Sequence, residues 1–168
     1  GEIAAVVARH HAAERDHLCE LDGAIGDGDH GLAMDGGCQA AAKAVGALDV
    51  ETAPTLLFNV AAKAFLNAVG ASSGPLYATA FMRAAAAAKD RQTLTDDDFV
   101  RVFAAMATGI QERGKAEAGE KTMVDAWKPA ADAALDAWGT GKPLPECLDM
   151  AVHAARVGCD ATKDMTAA

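Results

Sequence analysis

One residue in four of this chain is alanine, 42 of 168, while valine and isoleucine together number 14. Alanine is the best helix former, and sheets draw on β-branched and aromatic residues, so too little material is left for a large sheet. The expected fold is all-helical, a single domain over residues 1–168, in which small side chains let amphipathic helices approach closely. Such a frame leaves chemistry to whatever interrupts the helices.

The formal net charge is −9, from 24 acidic and 15 basic residues, and no Lys/Arg-rich run occurs. Nucleic acids and anionic membranes need clustered basic side chains, so neither is an expected partner. Cys19, Cys38, Cys147 and Cys159 form no C-x-x-C pair, which points to reduced thiols and a cytoplasmic protein. The longest uncharged stretch, Ala64 to Met82, contains Asn67, Gly70, Ser72, Ser73, Gly74 and Pro75, a composition that no simple membrane span carries. The chain opens with Gly1 rather than methionine, and both ends are expected to be trimmed relative to the natural gene product.

Hydrophobic periodicity predicts seven helices. The first covers Glu2 to Leu18, with Ile3, Val6, Val7 and His10 on its inner face. The second starts near Leu32 and carries Met34, Cys38, Ala41, Ala42 and Val45. Pro54 opens the third, striped by Leu57, Val60, Ala61, Ala64 and Ala68, and Ser73-Gly74-Pro75 opens the fourth. Thr95 with Asp98 resembles a capping box ahead of a fifth helix bearing Phe99, Val102, Phe103, Met106 and Ile110. Thr122 with Asp125 repeats the device before a sixth, lined by Met123, Trp127, Ala131, Ala134 and Trp138. A seventh follows Pro143 and Pro145, with Leu148, Ala151, Val152, Ala155 and Cys159 inward.

Three loops break this regularity. Leu21 to Gly31 holds Asp22, Asp27 and Asp29 among four glycines, with His30 adjoining. Carboxylates so close repel one another, and a cation that neutralises them favours the cluster. Oxygen-only ligands suit Mg²⁺ or Ca²⁺, and the loop lacks the twelve-residue pattern of an EF-hand, which favours Mg²⁺. Val69 to Leu76 reads as a helix N-terminus with two serine hydroxyls, a place for an anion, without P-loop or Rossmann spacing. Arg113 to Asp125 concentrates three basic residues, with Gly114 and Gly119 able to bend a loop over a ligand. Taken singly, each loop also fits a solvated connector. The three follow helices one, three and five, however, which puts them at one end of an up-and-down bundle. A carboxylate-held Mg²⁺ pair, a helix N-terminus and a covering loop together suit phosphoryl transfer.

The strings Leu21-Asp22-x-x-Ile25-Gly26-Asp27-x-Asp29-His30-Gly31, Gly70-Ala71-Ser72-Ser73-Gly74-Pro75-Leu76 and Gly114-Lys115-Ala116-Glu117-x-Gly119-x-Lys121-Thr122-Met123-x-Asp125 resemble the nucleotide-binding L subunit of bacterial dihydroxyacetone kinases. The same domain forms the C-terminal half of single-chain ATP-dependent kinases. The resemblance implies a closed barrel of amphipathic antiparallel helices, eight in the complete family member, with the nucleotide at one end. It implies two Mg²⁺ ions on Asp22, Asp27 and Asp29 and nucleotide contacts from His30, Gly31, Leu32, Ala33, Ser72, Ser73, Gly114 and Met123. ADP or ATP would be the bound nucleotide. The implied acceptor is dihydroxyacetone held by a separate K subunit or domain, and a phosphocarrier protein is an implied partner in the systems that recharge ADP. Related family members act on erythrulose, and a non-catalytic ADP-binding regulatory module is the competing class. The chain departs from the family in two ways: Ala33 stands where Asn is frequent, and the family continues past Ala168 with a basic segment and a last helix.

Overall fold

The computed structural model describes residues 1–167 and contains seven α-helices with no strand among them. They are α1 (Glu2–Gly23), α2 (His30–Gly46), α3 (Pro54–Ala68), α4 (Ser73–Ala87), α5 (Asp96–Gly114), α6 (Val124–Gly139) and α7 (Leu144–Ala161), followed by a 3₁₀ turn at Thr162–Asp164. Each helix packs on its sequence neighbours, from α1 on α2 through to α6 on α7. Short connectors make those neighbours antiparallel, so the connectors after α1, α3 and α5 gather at one end as expected. None of the helices among the described residues is long and apolar enough to cross a membrane. All four cysteines are free thiols, with Cys38 and Cys147 buried.

Glycines set the closeness of the helix contacts. A Cβ at Gly31 of α2 would collide with the Arg15 carbonyl of α1, and one at Gly158 of α7 would collide with the Asp125 carbonyl of α6. On the interior side, Phe65 is 1% exposed and packs its ring 5.4 Å from Tyr77 and 6.0 Å from Phe81. Burial of one such ring contributes about 2 to 3 kcal/mol. With so much alanine, the aromatic residues cannot fill the interior. A cavity of about 710 Å³ remains, open to solvent, lined by Phe65, Tyr77, Phe81, Phe103 and Trp127 and by the exposed Ile3 and Val7 of α1.

The end helices depart from their expected stripes. Ile3, Val6 and Val7 of α1 are exposed, at 63%, 50% and 43%, as is His10, and Val152 and Cys159 of α7 are exposed as well. These helices each have one close neighbour, α2 for α1 and α6 for α7, and they do not pack face to face along the seam between them. An apolar face on a terminal helix therefore stays uncovered. The α3 stripe is also rotated: Ala61, Ala62 and Phe65 are buried while Ala68 is exposed. Phe65 is the bulkiest residue available to that face, and its burial sets the rotation.

Candidate functional site

The first loop is shorter than its sequence suggests. α1 continues past Leu18 through Asp22 to Gly23, and α2 begins at His30 rather than Leu32. Asp22 thus stands on the last turn of a helix, with Asp27 in the connector and Asp29 as the N-cap of α2. The chain folds back because the Gly28 and Asp29 N–H groups donate to Asp22 Oδ2, at 2.9 and 3.1 Å. The Gly26 N–H also donates to the Asp22 carbonyl, at 2.6 Å. Gly28 has φ +75°, a backbone conformation that side chains other than glycine's rarely adopt, and a Cβ at Gly26 would collide with the Asp22 carboxylate. Carboxylate oxygens of Asp22, Asp27 and Asp29 consequently lie within 4.8 Å of one another, with Asp22 half-buried and the other two exposed. An all-oxygen set this tight matches the donor preference of Mg²⁺.

Around this cluster, His30 is exposed on the first turn of α2, Gly31 is buried against α1, Leu32 is exposed and Ala33 is half-buried. The Ala33 N–H is already engaged by the Asp29 carbonyl at 3.0 Å.

The second loop turns sharply into α4. A Cβ at Gly74 would collide with the Val69 carbonyl, so the close return of the chain requires glycine there. Ser72 occupies the N-cap but its hydroxyl caps nothing. Ser73 is 6% exposed, and its Oγ is a buried polar atom without a hydrogen-bond partner in the protein. Buried polar atoms almost always find a partner, so this one is poised for a group that the protein itself does not supply. It lies at the helix end where free N–H groups and the dipole favour an anion.

The third loop is held from within. Asp125, 4% exposed, accepts N–H bonds from Gly119 at 2.5 Å and Thr122 at 2.9 Å. Those bonds hold its carboxyl below the usual carboxylate range, the Gly119 bond contributing most. Only half of the expected capping box forms: the Thr122 hydroxyl accepts from Val124, at 3.1 Å, instead of from Asp125. Gly114 ends α5 beside the Leu76 side chain of α4, which brings the second and third loops together. Met123 is half-buried and packs in the cluster of Ala80, Ile110 and Val124. Sequence reasoning did not single out Asp125 as the residue that shapes this loop, although its Thr-x-x-Asp spacing was visible.

Known proteins resemble this chain in sequence and in fold. Residues 24–168 match the family model described as the DAK2 domain. The chain is 35% identical over 156 residues to the ADP-binding subunit DhaL of the PEP-dependent dihydroxyacetone kinase of Escherichia coli, covering 93% of this chain and 74% of that protein. It is 43% identical over 117 residues to a Listeria innocua subunit of the same description, covering 69% of this chain and 58% of that one. Among solved structures, the dihydroxyacetone kinase of C. freundii in complex with AMP-PNP and Mg²⁺ superposes with a TM-score of 0.79 at 25% identity, over 97% of this chain and 28% of that chain. The matched family model, the all-helical fold and the three ordered loops lead to one assignment: the chain belongs to the DAK2 domain family.

Proposed function

We propose that this chain is the nucleotide-binding component of a dihydroxyacetone kinase, holding ADP or ATP with Mg²⁺ at the loop end of its helical bundle. The convergence of Asp22, Asp27 and Asp29 within 4.8 Å carries the reading. It is supported by the partnerless Ser73 hydroxyl at the same end and by relatives whose names describe ADP-binding kinase subunits.

Asp22, Asp27 and Asp29 hold two Mg²⁺ ions in this reading, and bound Mg²⁺ supplies neutralisation of phosphate charge. Asp22 has a second task, because its Oδ2 also orders the loop through Gly28 and Asp29. Ser72, Ser73 and the first N–H groups of α4 orient phosphate oxygens. His30, Gly31, Leu32 and Ala33 flank the nucleotide on the α2 side, and Gly114 and Met123 border its nucleoside. Orientation and electrostatic complementarity are the main protein contributions to phosphoryl transfer, and these loops offer both. The acceptor hydroxyl comes from dihydroxyacetone on a separate K subunit or domain, and a phosphocarrier protein is the partner where resident ADP is recharged.

Calorimetric titration with ADP and Mg²⁺ tests the site. Asp27→Asn combined with Asp29→Asn should weaken Mg²⁺-dependent ADP binding by more than roughly 100-fold, beyond what loss of an outer-shell partner causes. Undiminished binding by the double variant would remove the metal assignment. Phosphate transfer to dihydroxyacetone in the presence of a K-type partner then separates a kinase component from a nucleotide-binding regulator.

A further inference from the structure

Lys121 is one of the three basic residues of the glycine-bearing segment from Arg113 to Asp125. Its ammonium points to the end of α7. Nζ donates to the carbonyl oxygens of Thr162 at 2.8 Å, Met165 at 3.2 Å and Lys163 at 3.5 Å. An ammonium has three N–H donors, and two carbonyl bonds with a third, long contact direct it to the end of α7 instead of into the site. These acceptors lie where α7 ends in its 3₁₀ turn, at the negative end of the dipole, and the Thr162 carbonyl also accepts from the Met165 N–H at 3.2 Å.

The backbone of Lys121 is unusual too. Its φ is +59°, and Lys115 at +53° and Gly119 at +97° give three left-handed residues within seven positions. Left-handed lysines persist only where surrounding contacts over-determine them. Two sets of contacts do so here for Lys121. Asp125 grips the backbone at Gly119 and Thr122, and Lys121 ties the same segment to the end of α7. The close approach of Gly158 to Asp125 holds α7 against α6 at this level, so the anchor is fixed relative to the site.

We infer that Lys121 is a positioning residue: it fastens the loop between α5 and α6 to the end of α7 and thereby sets Gly114 and Met123 for the nucleotide. This rests on the nucleotide-binding reading above. The residue acts through the loop, not by touching phosphate.

The test combines ADP–Mg²⁺ titration with amide hydrogen exchange on the nucleotide-free protein, using Lys121→Met, Lys121→Arg and Lys121→Gly. Removing the charged donor in the Met variant should weaken ADP binding about tenfold, in line with the loss of a charge-assisted bond. Lys121→Arg should stay within about threefold of the parent, because a guanidinium also donates to carbonyls. Lys121→Gly tolerates positive φ but lacks the ammonium, and should fall with the Met variant. Exchange should quicken together in residues 116–122 and 162–166 of the Met and Gly variants. Parent-like affinity in either one would overturn the inference, as would weakened binding with unchanged exchange at 162–166. A parent chain that binds no ADP removes the reading of the site, and the tether's purpose with it. The exchange data still report whether the tether itself exists.

Discussion

Two helices of this protein begin with the same four-residue device, and the two copies do different work. At α5, Thr95 and Asp98 form a complete reciprocal box: the Asp98 N–H donates to Thr95 Oγ1 at 3.2 Å and the Thr95 N–H donates to Asp98 Oδ2 at 3.0 Å. Arg91 adds an ion pair to Asp98 at 3.0 Å. Every group is satisfied locally, and the device ends there. At α6, Asp125 reaches back to Gly119 and shapes a whole loop, while Thr122 turns to Val124. The α5 copy sits at the end of the bundle away from the carboxylate cluster, and the α6 copy sits at the same end as that cluster. The difference lies in what precedes each helix. Before Thr122 come Gly119 and the left-handed Lys121, within three residues, which let the chain curl under the Asp125 carboxylate, whereas the left-handed residue ahead of Thr95, Asp90, lies five positions back and brings the Arg91 side chain to Asp98.

Substituting the two aspartates should separate these roles most strongly. Asp125→Asn should lower the melting temperature by roughly 5 °C through loss of charge-assisted N–H bonds, and should also weaken ADP binding as the loop loosens. Asp98→Asn should lower the melting temperature while leaving ADP affinity at the parent value. If Asp98→Asn costs as much affinity as Asp125→Asn, the contrast between the ends fails. Differential scanning calorimetry with and without ADP and Mg²⁺ reads both quantities.

The hydroxyls give a smaller effect of opposite sign. Thr95→Ala removes a satisfied cap and should cost about 1 kcal/mol of stability with no effect on nucleotide. Ser73→Ala removes a buried hydroxyl that has no partner, and should stabilise the nucleotide-free protein by about 1 kcal/mol while weakening ADP binding. Denaturant melts of the two variants, with paired titrations, would expose any error in the assignment of Ser73.

The mildest probe is pH. The Asp125 carboxyl is held below its ordinary value in the folded chain, so its contribution is present above about pH 4 and fades as the pH falls through the lowered folded value. The stability gap between the parent and Asp125→Asn should accordingly be constant from pH 7 to about pH 5 and shrink below about pH 4. A gap that widens on acidification would contradict the bonding described for Gly119 and Thr122.

Much of this organisation is legible in the sequence, because local rules set it. Pro54 at a first helical turn, the Thr95 box and the alternation of stripes with glycine-rich breaks identify seven helices and three loops in order. The placement of Asp22 on a helix was not legible: its last turn is stabilised by bonds from Gly28 and Asp29, six and seven residues away, which no propensity encodes. Nor could periodicity reveal that Ile3, Val6 and Val7 stay exposed, since a stripe marks an apolar face without naming what covers it. Lys121 escaped for the same reason, its carbonyl partners lying some forty residues further along the chain.

The open interior in front of Phe65 and Trp127 has a thermal consequence. Its apolar lining, with Ile3 and Val7 of α1, already meets water in the folded chain, so unfolding exposes less new apolar surface than it would in a filled bundle. The heat-capacity change of unfolding is correspondingly lowered, and the scarcity of large side chains that lets the helices pack so closely flattens the dependence of stability on temperature.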